Sequence, residues 1–228
     1  SFAIPIDDAM NVFRQIRDKG AVSRGWLGVL IQEVNRDLAE SFGLSRPRGA
    51  LIAEVMADSP AEAAGLQSGD IVLSYDGEEV ELSSDLPPMV GRTPVGETAN
   101  LTVLRGGKEM ELKVEIGRLP EEGSQQASAP ASDGAGPASA PLGMTVEPLP
   151  SKLAESLGVD SGVLVSNVAR GAAAEAGIRP RDVITEINRQ NVSSVDEFRE
   201  VVRGLPEGKA VSVRIVREGR ALYLVMKP

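Results

Sequence analysis

The 228-residue chain contains neither cysteine nor histidine. The lack of cysteine excludes thiol nucleophiles, disulfide bonds and thiolate metal sites, and it leaves the redox compartment open. The lack of histidine excludes a Ser-His-Asp triad and a histidine zinc site. Most routes to hydrolysis at neutral pH are therefore closed. We expect no catalytic residue, metal site or cofactor in this chain.

The chain also lacks a long apolar run, because no stretch approaches the roughly 20 residues that a transmembrane helix needs. Acidic residues outnumber basic ones by 33 to 24, and the net charge of −9 argues against binding to nucleic acid or anionic membranes. No signal peptide is recognisable, and the chain begins at Ser1 without an initiator Met. We interpret it as a segment of a longer protein, without membrane insertion.

What is present is a repeat. Leu-Ala-Glu-Ser-Phe-Gly at residues 38–43 returns as Leu-Ala-Glu-Ser-Leu-Gly at residues 153–158. Gly-Asp-Ile-Val at residues 69–72 returns as Arg-Asp-Val-Ile at residues 181–184, and Arg105 returns as Arg217. A repeat unit of roughly a hundred residues fits one small domain and not a solenoid repeat. The chain is therefore predicted to be a tandem of two related domains.

The predicted organisation has four parts. Residues 1–23 contain a lead-in helix, residues 24–118 form the first domain, residues 119–140 form a linker and residues 141–228 form the second domain. Serine, alanine, glycine and proline dominate the linker, which predicts a flexible segment without a core. The fold class is predicted to be α+β and mostly β, with five or six short strands and two helices in each domain. Such a domain is a small, partly open barrel or sandwich.

Local signals place the elements of the first domain. Gly43 should end a short helix over 36–42, and Asp58 or Ser59 should cap the next helix. Asp76-Gly77 is typical of a hairpin turn. Two prolines at 87–88 should make the helix over 83–90 start late, kink or loosen.

The order of these signals resembles the PDZ domain, in its circularly permuted bacterial form. An apolar residue, Leu, Gly and an apolar residue (26–29) enter a strand, a Pro-Ala-rich helix closes on Gly65, and Gly-Asp-Ile-Val precedes a hairpin. The start of the chain, Ser-Phe-Ala-Ile-Pro at 1–5, a helix and Arg-Gly-Trp-Leu-Gly-Val at 24–29, resembles the HtrA/Deg periplasmic serine proteases. The sequence of residues 22–34 most closely resembles that of the MucD-type members. The resemblance implies that the protease domain lies outside this chain.

The resemblance also implies a peptide-binding groove in each domain. An extended peptide would add to a sheet edge, and its terminal carboxylate would meet backbone N–H groups of the Leu-Gly loop. In the first domain the candidate peptide-binding residues are Arg24, Trp26, Leu27, Gly28, Val29, Ile31, Leu86, Met89 and Val90. In the second domain they are Leu142, Gly143, Met144, Val146, Phe198, Val201 and Val202.

Some of these residues have a simpler interpretation. Leu86 and Val90, four residues apart, could face the core, and Trp26 is better interpreted as a packing anchor than as a ligand contact. Arg24 could be a solvated charge. The second loop has Pro141 where the first has Trp26 and no basic residue nearby, which leaves its carboxylate binding open.

The function predicted from the resemblance is peptide binding within a periplasmic serine endoprotease of envelope quality control and stress response. The expected partners are hydrophobic C-termini or extended segments of misfolded envelope proteins, and the protease domain itself. Alternatives are a Ser-Lys protease, a tandem PDZ size filter of an intramembrane metalloprotease, or a second domain that serves oligomer assembly. We expect the segment to be monomeric and without catalysis, and the full protein to be a homo-oligomeric serine endopeptidase.

Overall fold

A computed structural model of the chain describes residues 10, 13, 17, 25–118, 138–140, 142–206 and 208–228. Contacts divide these residues into two compact units. One comprises the described residues among 1–34 and 48–123, and the other comprises those among 35–47 and 124–228. Apart from positions 10, 13 and 17, which are helical, the predicted lead-in helix lies outside the described residues. So does most of the predicted linker.

The first unit is built on one antiparallel sheet in the order β2-β3-β4-β6-β7, with β5 paired to β4. A separate two-stranded ladder joins β1 to β8. The strands are β1 Gly25–Trp26, β2 Val29–Glu33, β3 Ala50–Val55, β4 Ile71–Tyr75, β5 Glu78–Glu79, β6 Thr98–Arg105, β7 Lys108–Glu115 and β8 Gly117–Arg118.

Local chemistry explains most of the helices and turns between β2 and β6. Helix α1, Arg36–Phe42, ends at Gly43 in the left-handed conformation, and α2, Pro60–Ala63, begins at Ser59, whose hydroxyl accepts from the Glu62 N–H. The prolines delay the next helix: a 3-10 turn over Ser83–Asp85 precedes α3, Leu86–Arg92. Asp76 and Gly77 both have positive φ, the geometry of a two-residue hairpin turn. Of the three outcomes predicted for the prolines at 87–88, the late start of α3 is the one observed.

The second unit repeats this sheet and adds a strand to it. The order is β15-β14-β12-β11-β10-β9, with β13 paired to β12. Its strands are β9 Ala138–Ala140, β10 Met144–Pro148, β11 Val163–Val168, β12 Val183–Ile187, β13 Gln190–Asn191, β14 Val211–Arg217 and β15 Arg220–Met226. Its helices are α4 Ser151–Leu157, α5 Ala172–Glu175 and α6 Val195–Arg203.

The α+β, mostly β class is confirmed, with two differences in detail. Among the described residues, each sequence repeat has three α-helices, whereas two were predicted. Residues 138–140, placed in the linker from their composition, are strand β9.

Helix α1 belongs by its contacts to the second unit. It contacts β14 and β15, and the rings of Phe42 and Tyr223 meet edge to face, with centroids 5.6 Å apart and an interplanar angle of 79°. Lys227 Nζ lies 3.4 Å from Asp37 Oδ1. The sequence repeat places α1 in the first domain, whereas its contacts group it with the second unit. The repeat could not predict this, because it does not determine where the apolar side chains of α1 are buried.

Each unit has its own apolar core. In the first, side chains from β3, β4, β6 and β7 pack with Leu86 and Val90 of α3. In the second, the corresponding strands pack with Phe198 and Val202 of α6. Every buried large aliphatic or aromatic side chain contributes roughly 1.5–3 kcal/mol. The helix over the sheet is therefore held by its core-facing side.

Candidate peptide-binding site

The loop between β1 and β2 is held by two backbone hydrogen bonds. The Leu27 carbonyl accepts from the Ala61 N–H at 2.9 Å, at the start of α2, and the Gly28 carbonyl accepts from the Met56 N–H at 2.9 Å. Both carbonyls are thus engaged inside the domain. The N–H groups of Leu27, Gly28 and Val29 are the candidate donors for a carboxylate, because successive N–H groups in a tight loop form an anion-binding concavity.

Gly28 is required here for two reasons. Its φ of +81° lies in the left-handed region, and a Cβ at this position would lie 2.2 Å from Cβ of Ser59. Ser59 is buried and caps α2, so it cannot retreat without loss of the cap. The loop and the start of α2 therefore form one packed unit.

Strand β2 is the last strand of its sheet, so one of its edges carries no partner strand among the described residues. Near its end, Glu33 accepts a hydrogen bond from the Ser83 N–H at 2.9 Å, which ties β2 to the 3-10 turn before α3. Val29 and Ile31 on β2 and Met89 on α3 are half-buried and pack on the core. Val29 and Ile31 are thus partly accessible apolar residues of the edge strand, and Met89 is a partly accessible apolar residue of α3.

The other predicted residues of the first domain are buried, are part of β1 or lie outside the described residues. Leu27, Leu86 and Val90 are buried, with 4%, 2% and 6% of their surface exposed, and all three belong to the core. Trp26 is half-buried and its backbone pairs in register with Gly117 of β8. Arg24 lies outside the described residues. The part of each side chain in peptide binding stays a prediction.

The second domain repeats the loop. The Leu142 carbonyl accepts from the Ala173 N–H at 3.1 Å, and the Gly143 carbonyl accepts from the Ala169 N–H at 2.7 Å. Gly143 has a φ of +78°, and a Cβ there would lie 2.8 Å from the carbonyl oxygen of Arg170. The two loops therefore have the same anchoring, although Trp26 has no counterpart in the second.

The edge beside this second loop differs from the first. Strand β9 pairs antiparallel with β10, with Ala140 opposite Met144, Ser139 opposite Thr145 and Ala138 opposite Val146. The edge to which a peptide would add is thus paired with the chain's own backbone. Composition could not reveal this, since an Ala-Ser-Ala segment has little strand propensity of its own.

The predicted groove residues of the second domain are mostly buried. Val201 and Gly143 are half-buried, and the others belong to the core: Leu142, Met144, Val146, Phe198 and Val202. A shallow cavity of about 200 Å³ borders Val201, and its other lining residues are mostly polar: Gln190, Asn191, Glu197, Glu200 and Gly204. It offers no apolar pocket for a peptide side chain.

Two carboxylates of the second unit have shifted pKa values. Burial raises the pKa of Glu186, an effect that Arg214 and a hydrogen bond from Tyr223 only partly offset. Hydrogen bonds from the hydroxyl and N–H of Ser193 lower the pKa of Glu197. Within the described ranges, no three acidic residues are grouped as metal ligands would be. Nor does that part of the chain hold a helix long and apolar enough to cross a membrane.

A PDZ domain model matches residues 25–116, and a second PDZ domain model matches residues 164–217. The chain belongs to the PDZ domain family. The tandem arrangement predicted from the repeat is confirmed, with the Leu-Gly loop of the first PDZ domain inside its matched range.

The whole PDZ tandem is similar to proteins named "Probable periplasmic serine endoprotease DegP-like". The protein from Hahella chejuensis is 53% identical over 227 residues, which cover 100% of this chain and 48% of the relative. The one from Ectopseudomonas mendocina is 48% identical with the same coverage. The chain spans about half the length of the curated relatives it matches. The predicted relationship to the HtrA/Deg proteases is confirmed, and the predicted periplasmic location agrees with these names.

A solved structure described as "HtrA-type protease AlgWS227A with decapeptide" is 39% identical to this chain. The match covers 52% of this chain and 36% of that one, with a TM-score of 0.47. The closer similarity to MucD-type members stays a prediction.

Proposed function

We propose that the first PDZ domain binds extended peptides that end in an apolar residue and a free carboxylate. The observation that carries this proposal is the edge of β2, which has no partner strand in the described residues and begins at a glycine-containing loop. A peptide added to this edge gains main-chain hydrogen bonds whatever its sequence. Its direction would place the C-terminus at the loop, where the N–H groups of residues 27–29 are the donors.

Selectivity would come from the surface beside the edge. Val29, Ile31 and Met89 are half-buried on the core, so a peptide side chain placed among them would lose contact with water at little cost in rearrangement. Methionine is unbranched and adapts to different shapes. The groove should therefore accept several apolar terminal residues and discriminate against charged ones.

The relatives support a proposed role within a longer protein. They are named as serine endoproteases, and the PDZ tandem accounts for about half of their length. We infer that the tandem captures exposed hydrophobic C-termini or extended segments of misfolded envelope proteins. It then delivers them, or signals their presence, to a protease domain beyond this chain. Homo-oligomerisation of that full protein is part of the same proposal.

Trp26 provides a specific assay, because it is the only tryptophan and lies two residues before Gly28. Decapeptides ending in alanine, valine, leucine or phenylalanine would be titrated as free acids and as amides, with Trp26 fluorescence as the readout. Hydrogen bonds to a charged group contribute about 1.5–3 kcal/mol, so amidation should weaken binding by on the order of tenfold or more. Equal affinity of acid and amide would refute carboxylate recognition.

A pair of methionine variants locates the groove. Met89→Gln should weaken binding of the apolar-ended peptides. Met110→Gln is the matched control, since Met110 is 38% exposed and lies on β7, at the opposite end of the sheet. Equal affinities of the two variants would place the binding surface elsewhere.

A further inference from the structure

The two PDZ domains treat the same edge differently. In the first, the residues before the loop, Gly25 and Trp26, pair with β8, and among the described residues β2 keeps an edge without a partner strand. In the second, residues at the corresponding distance before Gly143 pair with β10 itself. Gly25 and Ala140 each stand three residues before the loop glycine. Equivalent chain positions therefore pair with different strands in the two domains.

The direction of β9 is that of a bound peptide. It runs antiparallel to β10, and its last residue, Ala140, stands opposite Met144, the first residue of the strand after the loop. A peptide with its C-terminus at the loop would run the same way along this edge. Backbone contacts join β9 also to helix α6, which is the second wall of the groove. By position, direction and neighbours, residues 138–140 therefore stand where a ligand would.

We propose that residues 138–140 are a built-in ligand of the second PDZ domain, which binds an extended peptide from outside only after they are released. The inference rests on the edge-addition mode proposed above for the first domain. The segment consists of two alanines and a serine, and it holds the edge through main-chain pairing. A peptide with larger apolar residues can offset this, but it competes with a tethered segment at millimolar effective concentration.

The sequence supplies a matched pair of variants. Ala-Ser-Ala-Pro occurs at residues 127–130 and again at 138–141. Proline has no N–H and cannot pair within a ladder, so replacing residues 138–140 by three prolines removes the pairing of β9. The same replacement at residues 127–129 changes the composition equally but leaves β9 intact. Ser139→Pro alone serves if the triple variant does not fold, because one proline interrupts so short a strand.

Amide hydrogen exchange tests occupancy without any peptide. In the triple variant at 138–140, the amides of β10 that point toward β9 should exchange at least tenfold faster than in the unchanged chain and in the 127–129 variant, while those that point toward β11 and those of β14 stay protected. Unchanged exchange in β10 would overturn the inference. This measurement does not use the first domain, so its failure would refute the inference and leave the proposed function intact. Failure of the Trp26 assay would refute the proposed function but would not change the measured occupancy of the second edge.

The second measurement tests release. A decapeptide of residues 131–140 with a free C-terminus would be added to each chain, with chemical shifts of β10 amides as the readout. It should bind the 138–140 variant at least tenfold more tightly than the unchanged chain or the control variant. Equal affinity for all three, or binding to none, would overturn the claim that β9 occupies a ligand site.

Discussion

Asp70 and Arg105 form a bidentate ion pair between the start of β4 and the end of β6. Arg105 Nε donates to Asp70 Oδ1 at 2.7 Å and a terminal guanidinium nitrogen donates to Oδ2 at 2.6 Å. The same guanidinium donates to the Gly65 carbonyl at 2.7 Å. Asp182 and Arg217 repeat this arrangement, including the bond to Gly177. The repeated aspartate and arginine of the sequence thus hold the turn after the short helix in both domains.

Asp70→Asn should strongly destabilise the first PDZ domain. Asp70 is 1% exposed, and removing one partner of a buried pair costs about 3–5 kcal/mol. Since Arg105 is partly exposed, we expect about 3 kcal/mol, measured by urea unfolding. Glu109→Gln is the control, because Glu109 is mostly exposed and 3.8 Å from Arg48; exposed pairs contribute about 0–1 kcal/mol. Equal losses in the two variants would contradict the assignment.

Gly28→Ala should destabilise the first domain more than Gly77→Ala. Both glycines have a φ of +81°, which costs another residue roughly 1–3 kcal/mol. A Cβ at Gly77 meets nothing within 4 Å, whereas at Gly28 it meets Ser59 at 2.2 Å. The difference between the two unfolding free energies therefore measures the close approach of the loop to α2. No difference would mean that the loop can move away from Ser59.

Val90→Gln should lower stability, and Met89→Gln should not. Val90 is 6% exposed and belongs to the core, where an amide without partners costs about 1–3 kcal/mol. The melting temperature of the first domain should fall by several degrees. Met89 is half-buried, so its substitution should act on peptide affinity. Thermal unfolding of both variants without peptide makes the comparison, and an unchanged melting temperature of Val90→Gln would return this residue to the groove.

Glu186→Gln should stabilise the second domain at neutral pH and have little effect at low pH. Burial raises the pKa of Glu186 above that of an unfolded chain, so the folded state binds its proton more tightly. Stability from this group is present below the unfolded value of about 4.5 and is lost as the pH rises through the folded pKa. Unfolding would be measured at pH 4 and pH 7.5, with Glu200→Gln as the exposed control. A stabilisation equal at both pH values would contradict the assignment.

The sequence alone was sufficient for features that depend on neighbours along the chain. The repeat predicted two related domains, Gly43 was predicted to end α1, Asp58 or Ser59 was predicted to cap α2, and Asp76-Gly77 was predicted to form a hairpin turn. The prolines at 87–88 predicted an irregular α3, and the structure selected a late start from the three predicted outcomes. Each of these is decided by backbone freedom or by a hydrogen bond across a few residues, so the local sequence contains the physical cause.

Tertiary structure decided which side chains face the core and which edges are paired. Met89 and Val90 are adjacent in sequence, yet only packing against the sheet determines that Val90 is buried and Met89 is accessible. The same holds for α1, whose apolar residues group with the second unit. The pairing of Ala138–Ala140 with β10 depends on an edge being available, since an Ala-Ser-Ala segment has weak preference of its own. Burial and strand pairing join residues distant in sequence, and their energies exist only once the chain has folded.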